Sequence, residues 1–266
     1  MHPKLTSAQN PRVKSLVHLR DKKERDTTGL FLIEGYRELK RAVSSGVRFE
    51  SLFIAPDLFL GSNEESLIRQ INAPVFELPD FLFKKISYRD RPDGLVGVAY
   101  QMKSLLKDLK KKSPSLYVVA EAIEKPGNLG TILRSSDGVG ADGVIVCDRC
   151  TDIYNPNVVR ASVGTLFTRP VVEASGDEVI AWLKENHIQI VAATPSASMN
   201  FTQAPLSGDV AIVVGTEQLG LSQKWLDAAD IRVKIPMEGV ADSLNVAMAT
   251  TLLLYEALRQ RQHITL

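Results

Sequence analysis

Small, polar loops, two of which contain glycine, follow three consecutive predicted strands in the second half of this sequence. They begin at Thr194 (T-P-S-A-S), Gly215 (G-T-E-Q-L-G-L-S) and Pro236 (P-M-E-G-V-A-D-S-L-N). Glycines let a ligand approach the backbone closely, and the hydroxyl, carboxylate and amide groups supply hydrogen bonds. Because ligands bind at the carboxyl ends of strands in open α/β sheets, the three loops predict a cleft for a ligand with an apolar body and a polar head.

A fourth stretch, E-K-P-G-N-L-G-T-I-L-R, follows the first predicted strand of this half. It turns through Gly127 and Gly130 into a helix that carries Asn128 and, six residues further on, Arg134. Six residues separate the two side chains by roughly 240° around a helix, so Arg134 could face a different surface, such as a subunit partner. The stretch contains only part of the G-x-G-x-x-G dinucleotide fingerprint, which leaves nicotinamide or flavin binding as an alternative.

The loop after Pro236 leads into a long apolar helix. Asp242 or Ser243 is predicted to cap this helix, so Ser243 and Asn245 lie where free backbone N–H groups point outward. On its own, the stretch is also consistent with a capped core helix that belongs to no site. No histidine lies in these loops, which argues against a hydrolase with a serine nucleophile and a histidine base.

Strands and helices alternate through the second half, which predicts an α/β domain with a mostly parallel sheet and helices on both faces. The predicted strands are Leu116–Ala120, Gly143–Cys147, Arg169–Val172, Ile188–Ala193, Val210–Val214 and Ile231–Ile235. The predicted helices cover about 128–138, 155–166, 177–186, 222–229 and 243–260. Several strands are apolar throughout, as expected for a parallel sheet that is covered on both faces.

The first half alternates in the same way and predicts a smaller α/β domain. Its predicted strands are Phe31–Ile33, Phe49–Ala55, Val75–Leu78 and Leu95–Tyr100, and its predicted helices are Tyr36–Ser44, Glu64–Ile71 and Phe81–Ile86. The lysine-rich segment from Gln101 to Pro114 is interpreted as a helix followed by a short linker. We therefore predict a first domain at residues 1–105, a linker at 106–114 and a second domain at 115–266.

Length and composition are typical of a soluble globular protein, with 266 residues, 44% hydrophobic and 24% charged. No apolar run reaches the roughly 18 residues of a membrane span, and the N-terminus has no apolar signal core. We therefore expect a cytoplasmic protein with no membrane partner. Cys147 and Cys150 form a C-x-x-C pair without a second pair of ligands, so two reduced thiols are expected rather than a zinc site or a redox pair, and no metal is predicted.

Charge is unevenly distributed along the chain. The net charge is +1, yet residues 1–27 carry +4 and residues 84–112 carry +6, which leaves −9 for the remainder. Two basic segments on an otherwise acidic chain indicate a polyanionic partner such as nucleic acid. Solvated basic loops without a partner are the alternative.

Three stretches match, in order, the motifs of a known family: N-L-G-T-I-L-R at 128–134, G-T-E-Q-L-G at 215–220 and I-P-M-E-G-V-A-D-S-L-N-V-A at 235–247. The chain thus resembles the SpoU/TrmH group of RNA ribose 2′-O-methyltransferases, within the SPOUT superfamily. The basic N-terminus and F-L-I-E-G-Y-R at 31–37 resemble the L30e-like RNA-binding domain that many members carry ahead of the catalytic domain.

The resemblance implies a trefoil knot in the C-terminal domain, S-adenosylmethionine bound by the loops of the knot, and a homodimer with the active site near its interface. It implies RNA as the substrate. Ribosomal RNA is expected rather than transfer RNA, because the L30e-like extension suits a structured rRNA loop. The alternatives are a tRNA 2′-O-methyltransferase and a non-catalytic L30e-like RNA-binding protein.

The resemblance also assigns individual residues by their motif positions. The implied catalytic residues are Asn128, Arg134, Glu217, Ser243 and Asn245. The implied cofactor contacts are Thr194, Gly215, Gly220, Ile235, Met237 and Leu244. RNA contacts are expected from Arg160, in N-V-V-R-A-S-V-G, from Arg12 and Lys14 in the basic N-terminal segment, and from Arg37 at the end of F-L-I-E-G-Y-R. Ala247 departs from the family pattern, since many members have serine there.

Overall fold

A computed structural model describes residues 2–148 and 150–262 of the chain. The chain forms two compact units, Met1–Met102 with Asp152–Thr168, and Lys103–Thr151 with Arg169–Leu266. These units differ from the predicted domains because residues 152–168 pack with the N-terminal unit. The predicted boundary near residue 105 lies close to the observed division after Met102.

The first unit has a mixed four-stranded sheet in the order β1-β4-β2-β3. Its strands are β1 (Leu30–Glu34), β2 (Phe49–Ile54), β3 (Val75–Glu77) and β4 (Leu95–Tyr100). Its helices are α1 (Pro11–His18), α2 (Lys22–Thr28), α3 (Tyr36–Ser44), α4 (Glu64–Gln70), α5 (Asp80–Ile86) and α7 (Pro156–Ala161). Strand β4 is antiparallel to β1 and β2, whereas β2 and β3 are parallel.

The segment 152–168 completes the core of the first unit. The Phe31 ring on β1 lies 4.6 Å from the ring of Tyr154 and 6.0 Å from that of Phe167, measured between centroids. The buried Arg25 side chain on α2 forms an ion pair with Asp152, with 2.7 Å between Nη2 and Oδ2. Aromatic burial and a charge-assisted hydrogen bond therefore bind this segment to the N-terminal elements.

The second unit has a seven-stranded sheet in the order β7-β6-β5-β10-β8-β11-β9. Its strands are β5 (Leu116–Glu121), β6 (Gly143–Cys147), β7 (Val171–Ala174), β8 (Gln189–Ala193), β9 (Met199–Asn200), β10 (Val210–Val214) and β11 (Ile231–Lys234). Its helices are α6 (Pro126–Gly138), α8 (Gly176–Glu185), α9 (Gln223–Ala228) and α10 (Val246–Gln262). All neighbouring strands are parallel, which confirms the predicted sheet.

Helices cover both faces of this parallel sheet. On one face Trp225 of α9 and Leu183 of α8 pack against alternate strand residues such as Tyr117 and Val213. On the other face α10 contacts α6 and β10. Burial on both faces explains why β5, β6 and β10 are buried at every position, a pattern that parallel sheets share.

Two local predictions were wrong. The lysine-rich segment contains only a short 3-10 turn, Leu106–Asp108, and no α-helix, because its closely spaced lysines would repel one another on a helix surface. Helix α10 begins at Val246 rather than near 243. Asn245 caps it in place of Asp242 or Ser243, since its Oδ1 accepts hydrogen bonds from the backbone N–H groups of Ala247 and Met248.

Both cysteines are free, with Cys147 buried at the end of β6 and Cys150 exposed. Burial raises the pKa of the Cys147 thiol, so this side chain is protonated and unreactive at neutral pH. Within 2–148 and 150–262, no group of three or more potential ligand side chains could hold a metal ion. No described helix is both long and apolar enough to cross a bilayer.

Candidate active site

The predicted site lies at the carboxyl edge of the parallel sheet, where four neighbouring strands end together. In space β5, β10, β8 and β11 are adjacent, so the segments that follow them meet at one edge. From β5 the chain continues to β6 and β7, which lie on one side of β5 in the sheet. The later strands β8, β9, β10 and β11 lie on the other side, with β10 next to β5. The gap between β5 and β10 is therefore a topological switch point, the usual place for a ligand in such sheets.

Asn128, Glu217 and Asn245 form one hydrogen-bonded group, here called the polar cluster. Glu217 Oε1 accepts hydrogen bonds from Asn128 Nδ2 at 2.8 Å and from Asn245 Nδ2 at 2.5 Å. Asn245 Nδ2 also lies 3.1 Å from Asn128 Oδ1. Residues that are 89 and 117 positions apart from Asn128 in sequence thus meet at the switch point.

Lys125, which sequence reasoning did not single out, completes the polar cluster. Its ammonium group forms an ion pair with Glu217 Oε2. The hydrogen bonds from Lys125 and Asn128 lower the pKa of Glu217, and Glu217 in turn raises the pKa of Lys125. Glu217 is therefore an ionised acceptor at neutral pH. Its position in the sequence, between the end of a predicted strand and the start of the next helix, was the signal that could have identified Lys125 as a site residue.

The loop after β10 depends on the absence of a side chain at Gly215. A Cβ there would lie 2.3 Å from the carbonyl oxygen of Gly220 and 2.6 Å from the nitrogen of Leu221. Thr216 and Gly220 exchange two backbone hydrogen bonds of 3.1 Å, and Gly220 has a φ of 69°, a conformation that favours glycine. The motif G-T-E-Q-L-G thus folds into a tight loop that holds Glu217.

Glu121, a buried carboxylate at the end of β5, is a second residue of the site that was not predicted from the sequence. It accepts hydrogen bonds from the backbone N–H of Ser222 at 2.9 Å and from Ser222 Oγ at 2.5 Å. These bonds tie the end of the glycine loop to the neighbouring strand. A carboxylate at the end of an otherwise apolar strand was the signal that could have identified it.

The segment from Met237 to Leu244 offers the groups that a cofactor would need. Within the part of the chain that the structure describes, its backbone N–H and C=O groups form no hydrogen bonds. Residues 238–244 are exposed, so these backbone groups face solvent and are accessible to a ligand. Ile235, Met237 and Leu244 add partly exposed apolar side chains beside them. A ligand with an apolar body and a polar head, as predicted from the sequence, suits such a lining.

The remaining predicted cofactor residue, Thr194, lies directly after β8. Its backbone N–H donates to the carbonyl oxygen of Val233 at 2.9 Å, and its Oγ1 lies 3.0 Å from Ser196 Oγ. The loop after β8 is thereby held to the strand that precedes the Met237–Leu244 segment.

Arg134 and Ser243 do not join the polar cluster. Both are exposed, and neither side chain forms an ion pair or hydrogen bond with another described residue. Arg134 lies on α6, next to Ser135, whose Oγ is 2.7 Å from Thr251 Oγ1 on α10. An exposed guanidinium with no internal partner is available to bind an anionic group.

The four predicted RNA-binding residues divide into two pairs within the first unit. Arg12 and Lys14 are exposed on α1, and the Arg12 guanidinium carbon lies 4.5 Å from the centroid of the Phe76 ring. Arg37 and Arg160 line a common pocket instead. The buried Arg25 shows that the N-terminal positive charge is not all available to a partner.

Replacing Gly215 with alanine is expected to destabilise the protein by about 1–3 kcal/mol, the usual cost of overpacking. The added Cβ would collide with backbone rather than with a side chain that can move. Gly208→Ala is the matched control, since a Cβ at this position meets nothing within 4 Å. Denaturant unfolding of both variants measures the difference, and equal stabilities would contradict the described loop geometry.

Two family models match the chain. The SpoU rRNA methylase family matches residues 115–255, and the MRM3-like substrate binding domain matches residues 10–97. The fold, the polar cluster and these matches define a methylase with an attached substrate-binding domain. The chain belongs to the SpoU rRNA methylase family.

Relatives and solved structures agree with this assignment over nearly the whole chain. A 23S rRNA uridine 2′-O-methyltransferase of Streptomyces viridochromogenes is 33% identical, covering 91% of this chain and 87% of that protein. The 23S rRNA guanosine 2′-O-methyltransferase RlmP of Bacillus subtilis is 28% identical over 94% and 97%. A crystal structure of an RNA 2′-O ribose methyltransferase is 42% identical, with a TM-score of 0.87 and 97% and 99% coverage.

One neighbour was solved with the cofactor. The SpoU methyltransferase AviRb from Streptomyces viridochromogenes, in complex with AdoMet, matches with a TM-score of 0.88 and 30% identity, covering 96% of this chain and all of that one.

Proposed function

We propose that this protein transfers a methyl group from S-adenosylmethionine to a ribose 2′-hydroxyl of ribosomal RNA. The observation that carries the proposal is the polar cluster at the switch point, next to a loop whose backbone groups are free to bind a cofactor. Two relatives that match nearly the whole chain are 23S rRNA 2′-O-methyltransferases, and a cofactor-bound neighbour shares the fold. We also propose that the protein acts in the cytoplasm, where it would meet ribosomal RNA.

The cofactor would be held by the three loops after β8, β10 and β11. Backbone groups from Met237 to Leu244 would bind its polar atoms, while Ile235, Met237 and Leu244 would contact its apolar parts. Thr194, Gly215 and Gly220 would shape the remaining wall. When bound, the sulfonium supplies an electrophilic methyl group, so the protein has no need to activate the donor.

The side chains of this site would act on the acceptor. A 2′-hydroxyl is a weak nucleophile that must be positioned and must lose its proton as the carbon–oxygen bond forms. Arg134 would bind the adjacent phosphate and polarise the hydroxyl, because a guanidinium keeps its proton and offers paired donors. Asn128, Asn245 and Ser243 would orient the ribose.

Glu217 would hold the polar cluster in place rather than remove the proton. Lys125 and Asn128 keep the pKa of its carboxyl below the usual range, so it is a weak base. A group with a lowered pKa loses its charge only when the pH falls through that lowered value. The rate of methyl transfer should therefore show no change with pH that is due to ionisation of Glu217 at or above neutral pH.

Two variants of Glu217 test this role. Glu217→Gln keeps an oxygen that accepts from Asn128 and Asn245, so most of the methyl-transfer rate should remain. Glu217→Ala removes the acceptor and should lower the rate at least about tenfold. Single-turnover assays at saturating cofactor measure both. A loss of about 100-fold or more in Glu217→Gln would instead identify Glu217 as the general base.

The function itself is tested by incubating the protein with methyl-labelled S-adenosylmethionine and unmodified ribosomal or transfer RNA. Nuclease digestion and mass spectrometry should reveal one 2′-O-methylated nucleoside from ribosomal RNA. A labelled nucleoside from transfer RNA would instead support the alternative function, that of a tRNA 2′-O-methyltransferase. Calorimetry with S-adenosylmethionine alone distinguishes the non-catalytic RNA-binding protein, which would show no binding.

We further propose a homodimer through the exposed face of α10. Met248, Leu252 and Tyr255 recur at helical spacing and are 62%, 42% and 51% exposed, so they form one apolar stripe. The opposite side of the helix, including Leu253 and Leu254, is buried. An unpartnered stripe of this kind is typical of a protein interface.

Leu252→Asp should convert the dimer into monomers, because it places a charge in an apolar interface. Analytical ultracentrifugation measures the mass, and Phe81→Asp, at an exposed aromatic residue of α5, is the control that should remain dimeric. A wild-type protein that sediments as a monomer would overturn this proposal without affecting the proposed chemistry.

We also infer the trefoil knot that the family resemblance implies. Its support is the SpoU fold of the solved neighbours, together with the packing of α10 against α6 and β10 after the chain leaves β11. A crystal structure in which residues 235–262 pass beside the preceding loops, and not through them, would contradict it.

A further inference from the structure

The first unit contains an open pocket of about 580 Å³ that the proposed chemistry does not use. Its lining comes from the start of α3, the start of α4, the segment between α5 and β4, and α7. No residue of the polar cluster belongs to it. The volume falls within the range of pockets that hold small molecules or single nucleotides.

Buried carboxylates dominate the wall of this pocket. Glu38, Glu64 and Asp93 are 4%, 5% and 7% exposed. In each, one oxygen is bonded: Glu38 Oε1 to Arg89 Nη2 at 2.8 Å, Glu64 Oε1 to the N–H of Gly61 at 2.8 Å, and Asp93 Oδ2 to the N–H of Tyr36 at 2.8 Å.

The second oxygen of each of these carboxylates accepts no hydrogen bond from any described group. Buried acceptors of this kind are rare and costly in folded proteins. Three of them in the lining of one pocket point to a ligand that brings several N–H donors. Arg89 is held in place by the carbonyl oxygen of Glu34, at 2.8 Å, and pairs with Glu38 at 2.8 Å and, more distantly, with Asp93 Oδ2 at 3.9 Å. Glu64 forms no ion pair with another described residue, so Arg89 fixes this wall without neutralising every carboxylate.

The pocket also carries two free positive charges. Arg37 and Arg160 line it, are exposed, and form no ion pair with another described residue. Exposed guanidinium groups that have no ion-pair partner are suited to bind a phosphate group. Tyr36 and the exposed Leu60 add aromatic and apolar surface, on which a base can stack.

These features select among the nucleobases. Guanine presents an imino N–H and an adjacent amino group along one edge, which two carboxylate oxygens can accept. Adenine and cytosine present one amino group, and uracil presents one imino N–H. We propose that this pocket binds an unpaired guanine nucleotide of the RNA, with its base edge on the carboxylates and its phosphate on Arg37 and Arg160. The inference rests on the proposed function, because RNA must be the substrate.

The test uses the full-length protein and five-nucleotide RNAs, uridine throughout except for a central guanosine, inosine or adenosine. Fluorescence anisotropy should show the guanosine oligomer bound about tenfold more tightly than the adenosine one, within the range of base discrimination by paired hydrogen bonds. Inosine lacks the amino group and should bind with intermediate affinity.

Glu64→Gln is the decisive variant, since it keeps the oxygen that accepts from Gly61 and replaces the other with an amino group. It should reduce the preference for guanosine to about twofold or less, because two donors then face each other. Glu65→Gln, at the exposed neighbour on α4, is the control and should retain the preference. Arg37→Ala should weaken all three oligomers equally.

Equal binding of the three oligomers, or an unchanged preference in Glu64→Gln, would overturn the pocket proposal. Such a result leaves the proposed function intact if the same preparation still methylates ribosomal RNA. A preparation that prefers guanosine through Glu64 but transfers no methyl group would overturn the proposed function and retain the pocket.

Discussion

Replacing Arg134 with alanine should lower the rate of methyl transfer by about 100- to 1,000-fold, the range measured when one preorganised donor is removed from an active site. The guanidinium is exposed and forms no bond with another described side chain, so its removal costs the fold little. Cofactor affinity should change by less than about twofold, because the proposed cofactor contacts come from the loops after β8, β10 and β11. Single-turnover rates and calorimetry measure the two effects separately.

Arg134→Lys tests how the charge is used. A lysine keeps the charge but cannot offer two parallel N–H groups, so the rate should recover only in part. Near-normal turnover in Arg134→Lys would contradict the two-donor contact with the phosphate. Unchanged turnover in Arg134→Ala would remove this residue from the mechanism altogether.

Replacing Asp152 with alanine should destabilise the first unit by about 3–5 kcal/mol, the usual result of breaking a buried ion pair on one side. Asp152 accepts bonds from Nε and Nη2 of Arg25, at 2.8 and 2.7 Å. Without it, the buried guanidinium keeps, among the groups that the structure describes, the carbonyl oxygens of Leu19 and Arg20 as its acceptors. Lys84→Ala, which removes an exposed pair with Asp80, should change the stability far less, because solvent screens surface pairs.

A double variant shows whether charge burial is the cause. Arg25→Met with Asp152→Leu removes both charges and should recover much of the lost stability, since apolar replacements of buried pairs are often neutral. Denaturant unfolding followed by the fluorescence of a probe in the first unit measures each variant. A double variant as unstable as Asp152→Ala would assign the loss to packing instead.

The fold of the second unit was predictable because its signals are local. Gly143–Cys147 and Val210–Val214 are uninterrupted apolar runs, and both are strands with those bounds. Glycine-containing loops after Leu116–Ala120, Val210–Val214 and Ile231–Ile235 indicated the carboxyl edge as the site. Asn128, Glu217 and Asn245 meet there. The family resemblance selected these residues from many polar ones, which periodicity alone could not do.

Long-range pairing was not predictable from the sequence. Nothing near Arg25 indicates that it pairs with a residue 127 positions away, so it counted as surface charge. For the same reason residues 152–168 were placed in the second domain. The ion pair of Lys125 with Glu217 was also missed, because the two residues are neighbours only after β5 and β10 come together. The roles of Arg134 and Ser243 remain predictions.

The return of residues 152–168 to the first unit has a consequence for the order of folding during synthesis. Chains emerge from the ribosome from the N-terminus, and a unit can close only when its last segment is available. The N-terminal sheet must therefore wait, with Phe31 and the Arg25 guanidinium uncovered, until β5 and β6 have been translated. Synthesis past residue 168, and not past the end of β4, sets the moment at which this unit can become stable.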